Sequence, residues 1–355
     1  MSCRIRLGKE KEGMPMTPTT PEASVPHLQS PLCELLGVRH PIALGGMASG
    51  TAAELVAAVS NAGGLGILGA SGRSPAEIGA QTARIRELTA APFGLNVLLF
   101  YHDETTVEAV LAQRPAVASF AWPTADEALA EVFARAHEVG ARVMHMAARL
   151  DDAQRAAEAG ADIIVAQGSE GGGHVGMMST LVLVPQVVAA VAPTPVLAAG
   201  GIADGRGLAA ALALGAAGVL LGTRFLATPE APLHPHFKQA ILASDGHDTD
   251  LTEIPDLITG RVWPGALARA WRNTLIRDWS GREWLLRQQR PRVAAEVEAA
   301  RAVGDADHTP LLFGQDAGLI GAIEPAGDII ARMVREAHAV LTERLAQLVG
   351  SPAPA

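Results

Sequence analysis

From Pro41 onward the chain repeats one unit eight times: a short apolar run, a glycine or polar break, then an Ala-rich helical stretch. The runs occupy 41–44, 65–68, 93–98, 116–120, 142–146, 162–167, 195–199 and 218–221. Short, β-branched and without a polar alternation, they read as strands buried on both faces. Between them the spacing predicts helices over 51–62, 74–89, 104–113, 124–139, 151–159, 181–191 and 206–214. Thr51, Ser74 and Thr124 each have a glutamate three residues on, the pattern of a capping box. Gly63, Gly140, Gly160 and Gly215 stand where helices should stop. Eight strands alternating with helices close most simply as an α/β TIM (β/α)8 barrel. A doubly wound sheet is the competitor, but it usually has fewer strands and carries its cofactor glycines early. Here the glycine pairs follow the seventh and eighth strands, where barrels often hold phosphate. The run from Gly64 to Gly69 satisfies GxGxxG but follows a helix and contains the strand itself, so it reads as tight packing rather than a dinucleotide site.

Four regions are expected. Residues 1–30, rich in Pro, Thr and charge, read as a disordered leader, and no apolar core follows their basic residues as a secretory signal requires. Residues 31–232 are expected to form the barrel. Residues 233–306 form a smaller, mostly helical subdomain over the barrel mouth, with helices over 237–244, 267–279 and 291–302. Residues 307–355 return to the barrel through a helix over 328–348, whose Ile329, Ile330, Met333, Val334 and Ala337 share one face. The most apolar stretch, 208–222, is broken by Gly215 and Gly218 and reads as helix, turn and strand, not a membrane span. A net charge of −9 argues against nonspecific nucleic-acid binding. Two cysteines make no disulfide framework, so a cytoplasmic, reducing setting is expected.

Catalytic groups of a barrel lie at the C-terminal ends of its strands. The first end offers Gly45, Gly46 and Met47; the third offers Asn96, a lone amide that either bonds the backbone or reads a ligand. Trp122 and His145, after the fourth strand and in the fifth, are candidates for the substrate side or for packing. The sixth ends in Gln167, and a stretch without side chains follows: Gly171, Gly172 and Gly173, closed by His174. Missing Cβ atoms let backbone approach something flat or anionic. Histidine titrates nearest neutrality and suits proton transfer; alternatively His174 bonds the loop backbone. Gly200, Gly201, Gly222 and Thr223 make a plausible phosphate cradle, aided by a helix opening near Asp204. His234 and His236 lack a carboxylate or thiolate at ligand spacing, so no metal site is expected.

Several pieces together resemble the nitronate monooxygenase family of flavoproteins. They are Val59-Ser-Asn-Ala-Gly-Gly-Leu-Gly66, Pro92-Phe-Gly-Leu-Asn96, Ala166-Gln-Gly-Ser-Glu-Gly-Gly-Gly-His174, Ala199-Gly-Gly-Ile-Ala-Asp204, Leu221-Gly-Thr-Arg-Phe225 and Phe313-Gly-Gln-Asp-Ala-Gly-Leu-Ile320. The resemblance runs from about Leu36 to Ala346. It implies a TIM barrel with a helical second domain and noncovalent FMN, acting on alkyl nitronates with O2 through a flavin semiquinone. It also implies roles: Gly46 and Met47 line the flavin ring, Asn96 and Gln167 bond its polar edge, and Gly172 passes close to it. Gly200, Gly201, Gly222 and Thr223 hold the phosphate, Gln315 and Gly318 close the far side, and His174 is the base or the substrate-orienting group. Gly45-Gly46-Met47 stands where the family often has Ala-Pro-Met, and Gly171 replaces an alanine of its glycine loop. Gly-Gly-Met is also similar to flavin-dependent enoyl-ACP reductases. An NAD(P)H-dependent FMN oxidoreductase of that or the quinone reductase type is therefore the alternative, and a non-redox phosphate-binding barrel stands behind it. The implied partners are a small-molecule substrate and O2, with a homodimer as the assembly.

Overall fold

The computed structural model describes residues 25–101 and 104–348; most of the expected leader lies outside them. The eight apolar runs are strands, and a further three strands appear. In chain order they are β1 (Ile42–Leu44), β2 (Gly66–Gly69), β3 (Phe93–Leu98), β4 (Val117–Ala121), β5 (Arg142–Ala147), β6 (Ile163–Gln167), β7 (Gly173–Val175), β8 (Val196–Ala199), β9 (Gly218–Leu221), β10 (Thr249–Thr252) and β11 (Leu267–Trp271). Eight of them pair in parallel in the order β1-β9-β8-β6-β5-β4-β3-β2. A parallel bridge between Ala43 and Leu65 joins the two ends, so the sheet closes into the expected barrel. Among the described residues no helix is long and apolar enough to cross a membrane.

Strand alternation divides the core into two layers. Ala43, Ile67, Val117, Met144, Ile163, Val165, Leu197 and Ala199 fill the barrel. Leu44, Leu68, Leu95, Phe120, Val143, Ile164, Ala198 and Val219 face the surrounding helices. A short helix, Pro31–Leu36, stoppers the N-terminal end of the barrel with Leu32, Cys33 and Leu36. Ser30 caps it, accepting from the Leu32 N–H, while its own hydroxyl donates to the Ala217 carbonyl just before β9. Burial pushes the Cys33 thiol up to about 11, so it is an inert packing group. With the floor sealed, the C-terminal strand ends are the face left for chemistry.

The bonds decide which of the local capping signals start a helix. Ser74 and Glu77 form the capping box. Thr51 does not cap a helix; its hydroxyl accepts from the Gly69 N–H at 2.9 Å and ties β2 to the loop after β1. The fourth expected helix begins only at Leu129, because the Thr124 carbonyl is taken by the Glu127 N–H and by Arg155. Gly66 carries a packing role: a Cβ there would strike the Val56 carbonyl of the neighbouring helix.

The region 233–306 is mostly helical, but one of the expected helices is divided differently. Residues 267–279 are not one helix but β11 followed by the helix Thr274–Trp279. Asn273 separates them, its side chain accepting from the Ile276 N–H to start the helix afresh. β11 pairs antiparallel with both β10 and β7, and its alternation of buried Ala268 and Ala270 with larger residues has period two. The helix predicted over 291–302 is the second half of Glu283–Val303, with Pro291 inside it. The helix Ala326–Ala339 packs on the helix Gly205–Ala213: Gly205 sits against Met333 and Ala337, and its N–H donates to Glu336.

Candidate active site

The inward residues at the strand ends converge. Asn96 of β3 donates to the Ser119 hydroxyl and carbonyl of β4, at 3.1 and 3.3 Å. Gly46 lies against it so closely that a Cβ would overlap the Asn96 side chain. The Oε1 of Gln167, ending β6, is buried without a hydrogen-bond partner among the described residues. A buried acceptor left open costs about 1–3 kcal/mol, so a donor is expected to meet it. Gly45 packs on Leu220, and Met47 lies across the barrel end with its sulfur over Gly222. Ala48 and Trp122, just beyond β1 and β4, hold left-handed φ values of 45° and 55°, strain of the kind that gathers at functional sites.

Two late glycine turns adjoin this centre. Gly200 and Gly201 are left-handed, with φ of 96° and 74°. A Cβ on Gly222 would meet only the flexible Met47 sulfur, so that side of the turn is open. The N–H groups of Gly201 and Gly222 donate to no acceptor among the described residues. Those are the features an anion-binding backbone needs. One expected contributor is corrected: the helix Gly205–Ala213 cannot offer its N-terminus, because Asp204 already accepts from the N–H groups of Arg206 and Gly207, and Glu336 from that of Gly205. Thr223 turns toward the 313–316 segment and accepts from the Gly314 N–H at 2.9 Å. Gln315 donates its N–H to the Glu170 carbonyl, holding that segment to the glycine loop, where Gly172 presses on Phe313. Gly318 instead packs on the Asp245 carbonyl, outside this cluster.

Three charged groups here were not foreseen. Glu170 binds the Thr180 N–H and hydroxyl, and that hydroxyl also donates to the Gly200 carbonyl, so the glycine loop is tied to β8. Arg269 of β11 donates to the Ser169 carbonyl at 2.8 Å from a buried position. Asp316 is buried beside Thr223 and Arg224, and burial pushes its carboxyl up to about 7. A carboxyl that keeps its proton to that pH does not repel an anion held near Thr223. Because the folded protein holds this proton where the unfolded chain has released it, Asp316 lowers stability as pH rises from about 4 to about 7. The Asp316→Asn variant should therefore gain unfolding midpoint over the parent between pH 5 and pH 8, which parallel thermal melts check.

His174 sits on β7, opposite Ala268 of β11. The extra sheet thus fixes the backbone of the glycine loop, with Gly173 opposite Arg269 at φ 75°. The imidazole lies flat on Trp263, ring centres 3.3 Å apart and planes 7° from parallel. Its Nε2 is 2.8 Å from Oδ1 of Asp256, so its partner is a distant carboxylate rather than the loop backbone. Trp263 also meets Phe100 at 4.3 Å and Trp122 at 5.9 Å. Trp122 is therefore in the same aromatic cluster as His174. Asp256 and Trp263 escaped the sequence reading because 82 and 89 residues separate them from His174 and no local pattern marks them.

His145 does not reach the site. In β5 the alternation sends Met144 and Met146 inward and His145 outward, against Phe133 in the helix layer at 5.7 Å. It is fully buried, neither ring nitrogen has a partner among the described residues, and burial drives it down to about 3. Its substrate-side assignment is withdrawn. The unfolded chain takes up this proton below about 6.5 and the folded one does not, so stability falls as pH drops from about 6.5 toward 3. The slope is about 1.4 kcal/mol per pH unit for one proton. His145→Leu should flatten the loss of unfolding midpoint between pH 6 and pH 4.5; an unchanged slope contradicts the assignment.

Comparison with known proteins adds a family to this geometry. The sequence profile described as nitronate monooxygenase matches residues 29–109 and 100–336. A probable nitronate monooxygenase of Staphylococcus aureus is 30% identical over 359 residues, covering 87% of this chain and 98% of its own. The (3aS,4S,5R,7aS)-5-hydroxy-7a-methyl-1-oxo-octahydro-1H-indene-4-carboxyl-CoA dehydrogenase of Mycobacterium tuberculosis is 41% identical over 238 residues. That match spans 66% of each chain, slightly under two thirds of the relative's length. Among solved structures, FabK from Thermotoga maritima superposes with a TM-score of 0.81 at 34% identity, covering 90% of this chain and 99% of that one. Nitroalkane oxidase from Streptomyces ansochromogenes gives 0.76 at 30%, covering 88% and 99%.

Proposed function

This chain belongs to the nitronate monooxygenase family, and from that premise we propose that it is a flavin-dependent oxidoreductase that binds FMN and oxidises alkyl nitronates with O2. The observation that carries the cofactor reading is the unpartnered acceptor of Gln167, buried at the same barrel end as the open N–H groups of Gly201 and Gly222. An isoalloxazine edge supplies the donor Gln167 lacks, and a phosphate supplies the acceptor the two turns lack. In this reading Gly46, Met47 and Asn96 flank the ring, Gly172 approaches it, and Gly200, Gly201, Gly222 and Thr223 hold the phosphate. FMN, when bound, supplies the electron-accepting chemistry.

The protein's own groups do the rest. Phe100, Trp122 and Trp263 keep bulk water from the imidazole. His174 manages the one proton of the reaction, as base or as the donor that orients an anionic substrate. A second reading has a specific support: the FabK superposition and the identity to the indene-4-carboxyl-CoA dehydrogenase favour an NAD(P)H-linked oxidoreductase acting on a thioester. Oxygen-electrode assays separate the two. O2 uptake driven by ethyl nitronate without nicotinamide supports the first reading; uptake that requires NADH and ignores nitronate supports the second.

A further inference from the structure

The imidazole of His174 is held in two independent ways. Trp263 fixes the plane of the ring, and Asp256 fixes its rotation within that plane. Both side chains of the His174–Asp256 pair are about nine-tenths buried, with 10% and 11% exposed. Asp256 is itself anchored. It lies in the helix Ile254–Thr259, whose end is closed by Gly260 at φ 72°, and its carbonyl accepts from the N–H groups of Gly260 and Arg261. Ile254 and Ile258 of the same helix are buried in the core of this region. The backbone that carries the carboxylate is therefore held on its own element, independently of the ring.

A carboxylate only accepts hydrogen bonds, so the atom facing it, Nε2, carries the hydrogen. The neutral imidazole then has its lone pair on Nδ1, which bonds to no group among the described residues. We propose that Asp256 is a positioning residue: it sets the Nε2–H tautomer of His174 and so makes Nδ1 the proton-accepting atom. This rests on the reading of His174 as the proton-transfer group. In that step a bond from hydrogen to carbon or oxygen of the substrate breaks, its electron pair stays on the substrate, and the proton bonds to Nδ1. Asp256 keeps its charge and stabilises the imidazolium. Neither residue changes oxidation state.

The flavin-loaded protein, labelled with ¹⁵N-histidine, tests this directly. The His174 signals are those missing from His174→Asn. The expected result is a protonated Nε2 and an unprotonated Nδ1 in the parent. Asp256→Asn can donate its amide hydrogen to Nε2, so it should move the hydrogen to Nδ1 and lower kcat by about 10²- to 10⁴-fold, with KM changed less than about threefold. Asp256→Glu keeps an acceptor-only partner and should restore the tautomer and most of the rate. Both variants should bind FMN as the parent does, which shows that the site is folded. A protonated Nδ1 in the parent, or an Asp256→Asn protein with parental tautomer and rate, overturns the proposal. Full activity in His174→Asn would instead overturn the proton-transfer role, and the tautomer measurement would still decide whether Asp256 orients the ring.

Discussion

The His174→Asn protein should stay yellow and turn over alkyl nitronate more slowly by about two to four orders of magnitude. Asparagine keeps a polar side chain of similar reach on β7 but has no titrating nitrogen. The backbone at this position is held by pairing with β11, not by the ring. Folding and cofactor binding are therefore expected to survive, so the loss reads chemistry alone. Stopped-flow reduction of the loaded enzyme isolates the affected step from later ones. A variant with parental rates would remove His174 from the mechanism and leave the orientation of its ring by Asp256 to the tautomer measurement.

The second large effect is expected at Gly222. Its φ of −111° is open to any residue, and an added Cβ meets only the sulfur of Met47. Gly222→Leu should therefore fold, yet fill the turn that the phosphate needs. FMN affinity should fall at least about hundredfold, about 2.8 kcal/mol, measured by quenching of free-flavin fluorescence. The same change at Gly201 is a poorer probe. That residue is left-handed and its Cβ would press on Glu170 at 3.2 Å, so misfolding and cofactor loss would be confounded. Parental FMN affinity in Gly222→Leu would remove the cradle from its proposed place.

The barrel was legible in the sequence because its signals are local and repeated. Each strand is a short apolar run, and Gly63, Gly140, Gly160 and Gly215 all stop helices with left-handed φ. The period-two signal of β11 was present in Leu267-Ala-Arg-Ala-Trp271 but was absorbed into a longer helical pattern. What no local pattern holds is the pairing of β11 with β7, since a strand's partner is chosen by the whole fold. The site divides the same way. Glycines and His174 announce themselves in one loop, whereas Asp256, Trp263, Glu170 and Asp316 acquire their significance only from neighbours brought in by β10, β11 and the 313–316 segment. His145 shows the converse. Its residue type suggested chemistry, but its parity in β5 put it among Phe120 and Phe133.

The most direct test of the oxidoreductase account is an anaerobic absorbance titration of the FMN-loaded protein, first with ethyl nitronate and then with NADH. The nitronate should bleach the flavin band in the absence of O2, and admitting O2 should restore it. Bleaching by NADH with a flavin indifferent to nitronate would contradict the proposed substrate, and a protein that takes up no FMN at all would contradict the site itself.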